Sequence, residues 1–341
     1  MNPILEQLIN RLAFGSPINH RNLTIFPITY TGNGKGKIQY LTLDEAVEKQ
    51  YIHITEVSQG GSVPDLTITN KSDRKILMLD GEEVIGAKQN RILNTTILVA
   101  ENVTLTIPVS CVEAHRWHSV SPEFQSPGTH AHSHLRAKKA ASVHQNLVAS
   151  QQYFSDQAEV WDEVDSHLAK LQTPSPTAAM HDAYIHHSDK LDEYIKAFKY
   201  QPGQKGIAVA INNQFICVDI FDQTETMEKY WKKLLRSYAI DALANLRISD
   251  SEKQEITPQP DLNRINNELA EIRSAVLQSN FQSFKSVGLG DDIRIRGKNL
   301  VGATLVFDQT PIHFAVFRTE SADNSEAISN FESPFRRRTK L

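Results

Sequence analysis

The chain has 341 residues, 40% of them hydrophobic and 22% charged, with a formal net charge of -4. That length allows one large domain or two ordinary ones, and the balance supplies a core without a global basic field to attract nucleic acid. Only two cysteines occur, Cys111 and Cys217, which excludes a disulfide framework and a Cys-rich zinc module and fits a reducing cytoplasm.

The first residues, MNPILEQLINRLAFG, read as a short amphipathic helix over 1–19 rather than a secretory leader, and no apolar stretch approaches the roughly 18 residues of a membrane span. LTIFPITY (23–30) is a strand, GNGKGK (32–37) a flexible turn, and LTLDEAVEKQ (41–50) a short helix with Asp44 near its start. IHITEVS, DLTITN and KILML follow as short strands. ILNTTILV and VTLTIPVSCVE then flank Ala100-Glu101-Asn102 as a hairpin with a three-residue loop. Residues 118–135, rich in Ser, Pro and His, read as a loop. QAEVWDEVDSHLAKL is a helix with Trp161, Val164, Leu168 and Leu171 on one face. Another helix runs from about 178 to 199. GIAVAINNQFICVDIF is a second hairpin, turned at Asn212-Asn213. Asp222 and Glu225 form a capping-box pattern before a helix that carries Met227, Tyr230, Trp231, Leu234, Tyr238 and Ala242 on one face. A helix over about 261–279 and three strands, DDIRIRG, NLVGATLVF and IHFAVF, complete the order. The tail 321–341 ends in RRRTK and is expected to be mobile. Strands, then helices, then strands predict an α+β fold: β-rich over 20–117 and α/β over 136–320, as one domain over 20–320.

Residues 79–91, LDGEEVIGAKQNR, crowd polar groups between apolar flanks. Strand alternation puts Val103, Leu105, Ile107, Val109, Cys111 and Glu113 on one face. If Val99 pairs with Val103, Arg91 stands opposite Cys111 and Gln89 opposite Glu113. The open end of the hairpin then gathers Lys88, Gln89, Asn90, Arg91 and Glu113, with Arg116 and Trp117 close behind. A carboxylate at the edge of an apolar face must be paired or carry a raised pKa. Glu113 and Glu82 are therefore the candidate general acid/base groups. Lys88, Gln89, Asn90, Arg91, Arg116 and Trp117 are the candidate ligand holders, since Arg beside Trp grips a planar or phosphorylated molecule by paired bonds and stacking. Gly81 and Gly86 permit a bend or close approach. The structural alternative is a buried ion pair that sets the register of the hairpin.

This stretch, followed by IPVSCVEAHRW, resembles the ARG and rhodanese-phosphatase-superfamily-associated protein domain family. QAEVWDEV, GIAVAINNQFICVDIFD, LLRSYAIDAL and GLGDDIRIRGKNLVGATLVFDQTPIHFAVF agree in order, so the resemblance covers roughly residues 20–320. Gly81, Glu82, Gly86, Lys88, Gln89, Arg91, Cys111, Glu113, Arg116 and Trp117 match its pattern. His115 stands where a small residue is expected. The family name records association with ADP-ribosylglycohydrolase and rhodanese-phosphatase proteins. It implies a tie to ADP-ribose or NAD metabolism, a nucleotide-derived ligand and an ADP-ribose-processing partner enzyme, without supplying a reaction. An enzyme and a non-catalytic nucleotide-sensing or partner-docking module are both compatible with it, and it specifies no cofactor.

Other constellations carry less. His130, His132 and His134 in THAHSH could bind zinc, nickel or copper on an extended strand, but no acid lies nearby in sequence, and a solvated loop is the simpler expectation, so no metal ligand is assigned. His181, His186 and His187 read as core-edge and surface histidines. Cys111 reads as packed and inert. Asp219, in ICVDIF, is a secondary candidate for a pocket.

Overall fold

The nearly unbroken apolar run GIAVAINNQFICVDIF needs cover on both faces, and it receives it. The computed structural model describes residues 2–31, 37–58, 60–248, 255–256 and 260–319; most of the GNGKGK turn and the tail 321–341 lie outside the described residues. Gly206–Ile211 and Gln214–Phe221 pair as an antiparallel hairpin through Asn212 and Asn213, both at positive φ. The hairpin sits inside a large antiparallel sheet. Leu23–Thr29 flanks it on one side. Thr310–Arg318, Leu300–Phe307, Asp291–Gly297 and Asn280–Lys285 follow in order on the other. Alternate side chains go to opposite layers. Ala208, Val218, Ile220, Phe314 and Val316 meet the helices Pro3–Arg11 and Leu262–Leu277. Val209, Cys217, Phe221 and Phe317 meet the helices on the other face. Chief among these is Thr224–Ala244, whose Met227, Tyr230, Trp231, Leu234, Tyr238 and Ala242 are all buried, as the 3.6-residue period predicts. Each such side chain contributes roughly 1.5–3 kcal/mol by leaving water.

The N-terminal strands form a second β layer. Ile52–Glu56, Asp65–Asn70, Val103–Cys111, Arg91–Leu93, Glu83–Gly86 and Phe124–Gln125 make one sheet, and Tyr40–Thr42, Lys75–Met78 and Ile97–Val99 another. Ile54, Leu66, Ile68, Ile107 and Val109 of the first pack on Ile76, Met78, Ile97 and Val99 of the second. The fold is thus α+β, and among the described residues the pairing is antiparallel except between Tyr40–Thr42 and Lys75–Met78.

Several local expectations need correction. Arg91 does face Cys111, and Leu93 faces Val109, but the hairpin stops there. Ile97–Val99 turns away to pair with Lys75–Met78. The cause lies in the intervening threonines: Thr95 donates to Asp292 at 2.6 Å, and Thr96 bonds His313 at 2.9 Å, which pins the chain to the large sheet. Residues 13–20 are not helical; Ala13–Phe14 and Ile18–His20 pair with Leu23–Thr29. The expected loop over 118–135 contains the short strand Phe124–Gln125 and, from Ser133, the first turn of a helix. The helical stretch 178–199 breaks at His187 into Met180–His186 and Ser188–Ala197. Asp222 does not cap the following helix; it accepts a bond from Tyr40, and its buried carboxyl is pushed up to about 6.

Candidate functional site

LDGEEVIGAKQNR feeds three separate polar clusters. Its bends depend on two glycines. Gly81 has φ +85°, and a Cβ there would stand 3.0 Å from the His130 ring and 3.1 Å from Arg136. Gly86 has φ +129°, and a Cβ would approach Ser121 Oγ to 2.6 Å. The turn at Gly81 parts Asp80 from Glu82 and Glu83, and the one at Gly86 parts those glutamates from residues 88–91.

Asp80 goes to the interior. It is paired with Lys139 and lies 3.5 Å from Arg136, whose other nitrogens grip Asp219 at 2.8 and 2.7 Å. Tyr238 and His313 complete the shell of Asp219 at 2.5 and 3.0 Å. Burial opposes ionisation of Asp219, but Arg136 and His313 outweigh it and hold the carboxyl far below its usual range. This network, which joins the large sheet to the Ser133–Ser150 helix, was only hinted at in the sequence by an acid on the apolar face of ICVDIF.

Glu113 and its neighbours form the second cluster. Glu113 accepts from Arg116 Nε at 2.8 Å and Nη2 at 2.6 Å, from Thr177 at 2.8 Å and from the Asn90 N–H at 3.1 Å. Burial works to raise its pKa, yet these donors prevail and hold it below the ordinary value. Arg116 spends its remaining donors on Ala87, His118 and Gly86 carbonyls and on Asn90 Oδ1. Gln89 donates to the Glu113 carbonyl at 2.8 Å. Lys88 donates to the Gly60 carbonyl at 2.6 Å and lies 5.3 Å from the Trp117 ring, which is exposed. Arg91 is fully buried; its Nη1 reaches Gln89 at 3.3 Å, while Nε and Nη2 have no hydrogen-bond partner among the described residues. Burial lowers its pKa, and burial also raises the facing Cys111 thiol to about 11, which leaves that thiol a poor nucleophile. The sequence correctly brings Gln89, Asn90, Arg91, Glu113 and Arg116 together, but most of their donors are spent on one another.

Glu82 and Glu83 go elsewhere. Both lie behind an open cleft of about 620 Å³ lined by Asp44, Gly128, Thr129, His181, Tyr184, Ser188, Lys229, Lys232, Lys233 and Arg236. Glu82 is fully buried and accepts from the Leu79 N–H at 2.6 Å and from Lys233 at 2.5 Å. Lys233 also bonds Asp44 at 2.8 Å. Burial tends to discharge Lys233, but Glu82 and Asp44 overcome that and keep it protonated. For Glu82, burial outweighs Lys233 and raises the carboxyl. Glu83, likewise fully buried, accepts from Thr129 and holds His181 Nδ1 at 3.0 Å. Burial works to lower the His181 pKa, but the bond and charge of Glu83 prevail and raise it. Four cations therefore line the cleft beside one acid, Asp44, and a carboxylate-oriented imidazole forms part of its wall. Sequence alone groups His181 with His186 and His187 as core-edge and surface histidines. The signal was its partner: Glu83 follows Glu82 in an otherwise apolar context, and an acid so placed needs a donor.

THAHSH is not a solvated loop. His130 and His132 are buried, and His132 stands at the N-terminus of Ser133–Ser150. Among the described residues, His132, Glu163 and His167 place donor atoms close enough to hold one metal ion. Glu163 and His167 lie on the buried face of Gln157–Lys170, where the sequence suggested Trp161 instead. No helix among the described residues is long and apolar enough to cross a membrane.

No curated protein and no solved structure matches the chain. Residues 11–317 match the family model described as the ARG and Rhodanese-Phosphatase-superfamily-associated Protein domain. With nearly its whole length covered, the chain belongs to that family.

Proposed function

We propose that the cleft around His181 binds and processes a phosphorylated, nucleotide-derived small molecule of the ADP-ribose or NAD class. One observation carries this reading: His181 lines an open, cation-rich cleft while its Nδ1 is held by the fully buried Glu83. An imidazole whose Nδ1–H is taken by a carboxylate presents the Nε2 lone pair on its other side. There it accepts a proton from a water as that water's oxygen bonds to a substrate phosphorus; the phosphorus–oxygen bond to the leaving group breaks, and the leaving oxygen keeps the electron pair and takes a proton back from the imidazolium. Glu83 stabilises the imidazolium. Lys232 and Arg236 hold phosphate oxygens, while Lys229, paired with Glu45 at 2.7 Å, and the buried Lys233 add positive potential. Glu82 positions Lys233 rather than touching the substrate, because it has no exposed surface. The substrate class rests on the family, whose name links it to ADP-ribose chemistry; an ADP-ribose-processing enzyme is the matching partner.

A second reading places a nucleotide sensor or partner-docking module at the Glu113 cluster. It is favoured by two nitrogens of Arg91 that lack a hydrogen-bond partner among the described residues, in a guanidinium whose carbon lies 5.8 Å from the exposed Trp117 ring centre. Glu113, Gln89, Asn90 and Arg116 then frame the binding site, and Lys88 and Trp117 cover it, without performing chemistry.

Phosphorus NMR separates the two. ADP-ribose, NAD and ADP-ribose phosphate esters are incubated with the protein, with and without divalent metal. New resonances that vanish in His181→Gln support processing in the cleft. Turnover that survives in that variant removes His181 as the base. Broadened but otherwise unchanged resonances, lost in Arg91→Ala, favour the sensor.

A further inference from the structure

We propose that His132, Glu163 and His167 form a site for one divalent transition-metal ion, best matched to Zn²⁺, with Asp241 orienting His132 from behind. The site lies apart from the His181 cleft, and the two share no lining residue. The proposal therefore stands or falls independently of the proposed function.

The ligands come from two helices. Glu163 and His167 are one turn apart on Gln157–Lys170, so their side chains emerge on the same face. His132 is the residue before Ser133–Ser150. All three are buried, and their donor atoms lie within 4.8 Å of one another. His132 Nδ1 is 3.1 Å from Asp241 Oδ1. Asp241 is itself fixed by the Ser133 N–H at 2.7 Å. His132 Nδ1 also accepts from the Leu135 N–H at 3.4 Å; once an ion takes Nε2, the ring proton stands on Nδ1 and is donated to Asp241. Among the described residues that Nε2 has no hydrogen-bond partner, and the Glu163 Oε1 is 4.0 Å away. His167 Nε2 is also buried and unpartnered among them. Two imidazoles and one carboxylate, with a second carboxylate behind one imidazole, are the donor set and outer shell that zinc prefers.

The geometry also defines the movement required. Ligand atoms about 2.0–2.2 Å from zinc in a tetrahedron stand roughly 3.4 Å apart, so donors now within 4.8 Å of one another must close by up to about 1.4 Å. The two imidazole rings, stacked at 3.8 Å with 11° between their planes, must splay so that both lone pairs meet the ion. Lys138, now 2.6 Å from Glu163, is half-exposed and can swing to solvent. His134 Nε2, 3.7 Å from Glu163, is within reach as a fourth donor. A cavity of about 440 Å³, lined by His134, Glu163, His167 and Asp241, opens on the site. An ion held there by three protein ligands keeps a coordination position toward that cavity, as in catalytic rather than closed structural sites.

The test uses the full chain, stripped with a chelator and titrated with Zn²⁺ by calorimetry and with Co²⁺ by visible absorption. One ion per chain is expected, with the intense d–d bands of a low-coordinate cobalt centre. His167→Ala is expected to weaken binding at least about 100-fold, and Asp241→Asn by about 10–100-fold, the usual effect of losing an outer-shell partner. Glu163→Gln, which preserves shape, serves if His167→Ala fails to fold by circular dichroism. His186→Ala, at the surface, is expected to bind as wild type. Absence of stoichiometric binding by the wild-type chain overturns the proposal. So does binding unchanged in His167→Ala or Glu163→Gln, which would assign the ion to surface histidines.

Discussion

Glu113 and Glu83 are both buried carboxylates drawn from the same polar neighbourhood, yet their surroundings give them opposite capacities. Glu113 accepts four bonds, two from a guanidinium that is itself bonded to carbonyls all round. Its charge is neutralised where it stands. Glu83 holds a histidine that lines a cleft, and one of its own oxygens has no partner. Its charge is felt at a surface where a substrate can arrive. The difference lies in whether the chain of bonds closes on itself or ends at solvent. A closed network mainly holds segments together, and an open one can move a proton.

The largest expected effect falls on the closed network. Glu113→Ala leaves Arg116 buried and uncompensated and is expected to destabilise the protein by about 3–5 kcal/mol, read from urea unfolding. Turnover per folded molecule should be unchanged if the His181 cleft is the active site; a specific loss of turnover in folded protein would return Glu113 to the chemistry. The same contrast has a pH signature. The Glu113 carboxyl is held below its ordinary 4.5, so its contribution to stability is present above that value and is lost as pH falls through the lower folded pKa.

At the open site, His181→Gln is expected to cost about 10²–10⁴-fold in turnover, the usual worth of general base catalysis, with roughly 1–3 kcal/mol in stability because the buried Glu83 loses its charged partner. A variant that unfolds instead would place His181 with the structural groups. Next comes the pH profile. The base must be neutral to act, and its pKa is raised above 6.5, so kcat/KM should rise with pH through that raised value. The stability contributed by the His181–Glu83 pair runs the other way: it is full below 6.5 and lost as pH rises through the folded pKa. Glu83→Gln should move the rising limb of the rate profile to lower pH; an unmoved limb would dissociate Glu83 from the base. The smallest effect belongs to Lys232, exposed and without an ion-pair partner among the described residues. Lys232→Ala should weaken substrate binding by several-fold at low salt, less at high salt, with no change in melting temperature. Equal effects at both salt concentrations would argue against a charge contact.

Local patterns determined a good part of this molecule. Period-2 alternation located the strands, because a pleated strand with one buried face tolerates no single-residue slip; the Arg91–Cys111 pairing forms although the Val99–Val103 pairing it was extrapolated from does not. The 3.6-residue period located the apolar face of Thr224–Ala244. The polar stretch 79–91 was marked as unusual because buried charge requires a partner. The partners themselves were decided only in three dimensions. Lys233 lies 151 residues from Glu82 along the chain, and His181 lies 98 from Glu83. Thr95 finds Asp292 across 197. Pattern within one segment reports which side of an element faces inward. It carries no information on which distant element will be packed there, and one turn at Gly81 suffices to send Asp80 and Glu82 into different clusters. The sequence by itself therefore determined that charges would be buried here; tertiary packing decided which of them would be sealed and which would reach a cleft.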